Sequence, residues 1–189
     1  MAKTKLNPIL EQVRGQVGDL VFKRYQGETV LARKPDLDGV EPTQAQLAAR
    51  ENFRQATLYG KMVMADPDAK AIYEQAAKER GQPVFSVLVA DYYNAPSVNY
   101  VDLGGYSGKV GDKVTILAHD DFAVVGVTVA LANGNGQSIE TGAATESAPG
   151  SGRWMYTATQ AVPTGTTVRV TVTATDRPGH TGVKTETKT

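Results

Sequence analysis

The 189-residue chain contains no cysteine, which removes disulfides, thiolate zinc sites and cysteine nucleophiles from consideration. It has only two histidines, His119 and His180, and no spacing that would make either one part of a defined metal or catalytic set. No GxSxG elbow occurs, and GYSGK at 105–109 has no base near it in sequence. Long apolar runs are also missing. After Pro8 the amino end offers only Ile9 and Leu10, too little for the core of a signal peptide, and no segment approaches the ~18 apolar residues of a membrane span. The expectation is a chain made in the cytoplasm and not inserted in a membrane, with non-classical export or incorporation into a virion left open.

An excess of either charge is absent too. Lysine plus arginine equals aspartate plus glutamate at 20 each, and the balance is local, with 13 basic and 12 acidic residues in 1–98. Without a basic patch there is no long-range attraction for nucleic acid or anionic lipid, so neither is an expected partner.

What is present reads as two parts. Leu20–Tyr25 and Thr29–Arg33 are β-rich runs flanking Gln26-Gly27-Glu28, the pattern of a hairpin. Its faces mix Leu20, Phe22, Tyr25, Val30 and Leu31 with charges. An isolated hairpin is marginal in water, so these five residues are candidate assembly positions. Thr43 and Gln46 form a capping-box pattern that predicts a helix over 43–65. Asp66-Pro67 then supplies an N-cap and first-turn proline, with Ala69, Ile72, Tyr73, Ala76 and Ala77 on one face until Gly81. PVFSVLVADYY, 83–93, fits a strand by composition and a short helix by the spacing of Phe85, Leu88, Val89 and Tyr92, and the helix is favoured.

Past Asn94-Ala95-Pro96-Ser97 the composition turns to threonine, valine and glycine. This places a domain boundary near Ser97, giving a hairpin and helical assembly domain over 1–97 and an all-β domain over 98–189. Seven β-rich runs follow, at 98–103, 113–118, 124–132, 138–141, 153–159, 167–175 and 183–187, the signature of an antiparallel sandwich. The predicted class is therefore α+β in two parts. GxVGD occurs twice, at 15–19 and 108–112, with no similarity extending beyond it. Neither copy leads into a helix or a Lys-Ser/Thr pair, so both are read as turns rather than phosphate loops.

Within the all-β part, Asp120, Asp121, Glu140 and Asp176 sit at predicted strand ends. Carboxylates gathered at one pole of a sandwich can collect calcium, and Asp120, Asp121 and Asp176 are the candidate ligands. No EF-hand pattern is present, and no cofactor is expected to be required. Trp154 and Tyr156 share a facing in GRWMYTAT and either fill the core or stack on a sugar ring.

The carboxyl half, through VTILAHDDFAVVGVTVAL, GQSIETGAA, GRWMYTAT and VRVTVTATDRPGHTG, resembles bacterial Ig-like and cadherin-like modules. That resemblance implies adhesive, spacer or stalk roles and, for the cadherin-like members, calcium. The amino half, VRGQVGDLVFKRYQGETVLARKP followed by TQAQLAARENFRQA and YEQAAKERG, is similar in layout to small uncharacterised bacterial and phage-associated proteins, which implies a fold and no activity. The resulting expectation is a non-enzymatic structural protein, a self-assembling or docking subunit of a bacterial or phage filament, decoration or stalk. Its partner would be another copy or a larger protein assembly, with an arm at residues 1–12 assisting. The alternative is a carbohydrate- or surface-binding adhesion module with glycan as its partner.

Overall fold

The computed structural model describes residues 15–25, 28–36, 39 and 41–189, with the side chains of Tyr25 and Glu28 outside that description. The amino-terminal arm, the Gln26-Gly27 loop tip and the expected role of the Tyr25 ring therefore lie outside the described residues. The chain divides into two compact units, Met1–Leu47 and Ala48–Thr189.

In the first unit β1 (Gly15–Val17), β2 (Leu20–Tyr25) and β3 (Glu28–Arg33) form an antiparallel sheet in that order. The expected hairpin is β2–β3, in register from Leu20 opposite Arg33 to Tyr25 opposite Glu28. The third strand comes from the first GxVGD, where Gly18 at φ 57° reverses the chain so that Val17 lies opposite Leu20. None of the described residues of this sheet is buried: Val21, Phe22, Val30 and Leu31 are half-buried, Leu20 is 44% exposed and Val17 is 65% exposed.

Helix α1 (Gln44–Ala65) begins with the anticipated capping box, in which the Gln46 amide donates to Thr43 Oγ1 at 3.3 Å and the Thr43 amide to Gln46 Oε1 at 3.0 Å. It buries small residues, Ala56 and Gly60, together with Val63. A Cβ on Gly60 would stand 3.0 Å from the Phe85 ring, so glycine is what admits the aromatic there. Helix α2 (Pro67–Arg80) starts where the Asp66 carboxylate accepts from the amides of Asp68 and Ala69, and ends at Gly81 in the left-handed conformation. Residues 84–93 are helical and form α3 (Val84–Tyr93). Val63, Tyr73, Ala77, Val87 and Leu88 make the helical core, with Phe122 of the all-β segment packed against it.

The rest is a β-sandwich. One sheet has the order β4 (Ser97–Asp102), β5 (Lys113–His119), β9 (Arg153–Thr157), β8 (Thr145–Glu146); the other has β11 (Thr181–Lys188), β10 (Val168–Thr175), β6 (Gly126–Asn133), β7 (Ser138–Ala143). In sequence order this is the A-B-E-D and G-F-C arrangement of an immunoglobulin-type sandwich, with β7 added beside β6. The seven anticipated strands are all present, and the two-residue β8 is an eighth. Period-two alternation sends Val114, Ile116 and Ala118 inward from β5, and Val168, Val170, Val172 and Ala174 inward from β10. Full burial of each valine or isoleucine stabilises the fold by roughly 1.5–3 kcal/mol.

The second GxVGD is the turn entering β5. Its Asp112 carboxylate accepts from the Ser107 amide at 2.6 Å, the Lys109 amide at 2.9 Å and the Ser107 hydroxyl at 2.9 Å. Composition changes at Ser97 and secondary structure changes with it, from α3 to β4. α2, α3 and the sandwich fall in one unit, and Phe122 packs on the helical core.

Candidate functional site

The segment between β5 and β6, 120–125, turns at the pole of the sandwich to which α2 and α3 are fastened. Asp120 starts the turn: its Oδ2 accepts from the Phe122 amide at 3.1 Å and the Ala123 amide at 2.8 Å. Phe122 then reaches into the helical core, stacked on Tyr73 with ring centroids 4.3 Å apart. Arg80 closes over it, its guanidinium 5.6 Å from the Phe122 ring and bonded at 2.6 Å to the Asp121 carbonyl oxygen. From the end of α3, the Asn94 side-chain amide donates to Asp121 Oδ2 at 3.0 Å.

Into this junction α3 projects Asp91, which is wholly buried. Its Oδ2 accepts from the Tyr73 hydroxyl and, at 3.5 Å, from the Tyr59 hydroxyl; the two phenols are themselves 2.7 Å apart. Its Oδ1 has no hydrogen-bond partner, and neither does Oδ1 of Asp120, which is equally shielded from solvent. One carboxylate oxygen from each of Asp91, Asp120 and Asp121 lies within 4.8 Å of the others. Burial pushes the Asp91 carboxyl up to about 6 against the pull of the Tyr73 hydrogen bond, and repulsion from Asp120, Asp176 and Asp121 adds to the rise. The same burial raises the Tyr73 hydroxyl well above its ordinary value, reinforced by its bond to Asp91.

The sequence picks out Asp120 and Asp121 as neighbours, and the structure joins to them Asp91, which strand-end reasoning passes over. A signal existed: Asp91 is the only charged residue in the otherwise apolar run of α3. Asp176 is at the same pole but outside the cluster of Asp91, Asp120 and Asp121. Its Oδ1 accepts from the amides of Gly179 and His180 at 2.8 and 2.6 Å, and its Oδ2 lies 3.3 Å from His180 Nδ1. It organises the β10–β11 turn, whose His180 ring meets the Tyr92 ring edge-on at 4.9 Å. Glu140 lies toward the opposite pole, where its Oε2 accepts from the Thr159 and Gln160 amides and the Thr159 hydroxyl.

Trp154 and Tyr156 point into the sandwich. Trp154 is 7% exposed and both belong to the main core, so neither offers a ring face to a sugar, because β9 alternation turns them inward beside Ile116 and Val114. Burial, joined by repulsion from Glu140, pushes the Tyr156 hydroxyl up to about 12. The aromatic on the outer face of that sheet is Tyr100 of β4, 53% exposed, opposite Leu117 of β5, which is opposite Arg153 of β9. Among the described assembly candidates, Leu20 is exposed while Phe22, Val30 and Leu31 are half-buried.

No family model matches the chain, and no curated protein matches it in sequence. Among solved structures, the chain is similar to one described as the crystal structure of a Br derivative of BhCBM56, a carbohydrate-binding module. The identity is 20% and the TM-score 0.31, over 51% of this chain and 90% of that one. Among the described residues no helix is long and apolar enough to cross a membrane.

Proposed function

We propose that the protein is a non-enzymatic assembly subunit in which the β1–β3 sheet pairs with a second copy and the sandwich is the displayed module. The observation that carries this reading is the sheet itself. Val17, Leu20, Val21, Phe22, Val30 and Leu31 are gathered on three short strands, yet no described residue there is buried. Three strands need a covered apolar face for stability, and this sheet has none among the described residues. Among the described residues β3 has a strand on one side only, so a copy of the same sheet added along it would extend the backbone ladder. The test is light scattering on the full chain and on Phe22→Asp. The wild type should form oligomers at micromolar concentration, and the variant should be monomeric with its sandwich intact. A monomeric wild type at several hundred micromolar would end this reading.

A second reading, a carbohydrate- or surface-binding module, draws on the row Tyr100, Leu117 and Arg153 across the outer sheet face. It joins an aromatic ring, an apolar side chain and a planar cation in register. Glycan-array binding lost in Tyr100→Ala and retained in Phe22→Asp would favour it over assembly.

A further inference from the structure

We propose that Asp91, Asp120 and Asp121 form a calcium site that ties α3 to the connection between β5 and β6. The three carboxylates alone would be an acidic cluster; two further facts point to a ligand. Asp91 is wholly buried on α3, and although two tyrosine hydroxyls satisfy its Oδ2, its Oδ1 has no partner. Asp120 repeats the pattern, with two backbone amides on Oδ2 and a shielded, unpartnered Oδ1. A shielded carboxylate oxygen without a donor or a cation is costly, and two of them in one cluster share one economical solution, a cation.

The charge arrangement agrees. Among the described residues no lysine or arginine forms an ion pair with these three carboxylates. Arg80 is engaged by the Asp121 carbonyl and the Phe122 ring, and the exposed Arg177 acts on the Tyr59 hydroxyl without an ion pair to these carboxylates. His180 is directed at Asp176. Asp176 adds negative charge nearby but lies outside the cluster; the amides of Gly179 and His180 hold its Oδ1, and its Oδ2 faces His180 Nδ1 at 3.3 Å.

Donor chemistry selects the class of ion. The donors are carboxylate oxygens with no thiolate or imidazole among them, which suits a hard cation. Two ligands on opposite sides of calcium, each ~2.4 Å away, are separated by about 4.8 Å, while the ~2.0–2.1 Å bonds of magnesium require a smaller cluster. The three oxygens lie within 4.8 Å of one another, a spread that a calcium shell accommodates. A calcium shell takes about six to eight oxygens, and water could reach the ion from the exposed Asp121 side.

Tyr59 and Tyr73 stand in hydrogen-bond contact with Asp91, so they should sensitise terbium bound at the same place. The experiment is tyrosine-excited terbium emission on the full-length protein, followed by competition with calcium and with magnesium. Emission should saturate and be displaced by calcium at concentrations on the order of tenfold below those needed for magnesium. Asp121→Asn is exposed and leaves the buried residues untouched; it should weaken terbium and calcium binding on the order of tenfold or more. Asp120→Asn keeps an oxygen for the turn amides and should act likewise, with near-ultraviolet dichroism reporting that each variant is folded. Absence of sensitised emission from folded wild-type protein overturns the site. So does equal binding by folded Asp121→Asn, or displacement by magnesium as readily as by calcium.

Discussion

Two antiparallel strand pairs in this chain have similar length and opposite circumstances. β2–β3 carries Leu20, Val21, Phe22, Val30 and Leu31 and buries none of them, while β6–β10 carries Val127, Val129, Leu131, Val168, Val170 and Val172 and buries all of them. Hydrophobic residues alone therefore do not make a core; a second layer does. β6–β10 has the β4-β5-β9-β8 sheet across from it, and strict alternation gives it one wholly apolar face. In β2–β3 the large side chains fall on both faces, interleaved with Lys23, Arg24 and Arg33, so no single covering layer within one chain would shelter them all.

Truncation should expose that contrast most sharply. Leu131→Ala, deep in the sandwich, should cost about 2–5 kcal/mol in urea-induced unfolding followed by tryptophan fluorescence of Trp154. Leu20→Ala, measured at a dilution where the chain is monomeric, should change the same transition by no more than ~0.5 kcal/mol. Comparable losses at both positions would mean that the β1–β3 sheet is covered in the monomer.

The next largest effect sharpens the comparison from the side of the helices. A fragment of residues 98–189 keeps both sandwich sheets and their alternating core, and should fold. It loses Tyr73 and the helical core around Phe122, leaving that ring in water. Relative to a fragment of residues 48–189 it should melt lower, the uncovered half-buried phenylalanine removing only part of the roughly 1.5–3 kcal/mol that full burial confers. Equal melting temperatures would show that α2 and α3 ride on the sandwich without stabilising it.

Which features were legible in the sequence follows from how local their causes are. Thr43 with Gln46, Asp66-Pro67 and Gly81 act within a turn or two of chain, and the helix ends are found where these residues place them. The alternation in β5 and β10 marks a strand with one buried face wherever its partner lies. β1 was hidden because Gly15-Gln16-Val17 is too short to show a period, and β8 because two residues show none. Asp91 was hidden for another reason: what makes it notable is Asp120 and Asp121, some thirty residues away, brought beside it by the seating of Phe122 against Tyr73. The inward facing of Trp154 was written in the β9 alternation, but choosing core over sugar platform required knowing which face the second sheet covers.

The smallest expected effect concerns the two GxVGD turns, which place the same five-residue pattern in both units. In the first, Asp19 contributes through its backbone, its carbonyl accepting from the Lys34 amide at 2.7 Å. In the second, the Asp112 side chain gathers two amides and a hydroxyl, and those backbone bonds from Lys109 and Ser107 hold its carboxyl below the ordinary range. A carboxyl depressed on folding stabilises the protein above its unfolded value, ~3.9, and that stabilisation fades as pH falls through the lower folded value. Asp112→Ala should therefore lower the melting temperature at pH 7, and the gap from wild type should narrow as the pH is taken below 4. Asp19→Ala keeps the carbonyl and should show a smaller gap at pH 7. Melting curves at a series of pH values for the two variants decide it: a gap for Asp112→Ala that is unchanged by acid would mean that its cost comes from lost turn packing and not from the ionised carboxylate.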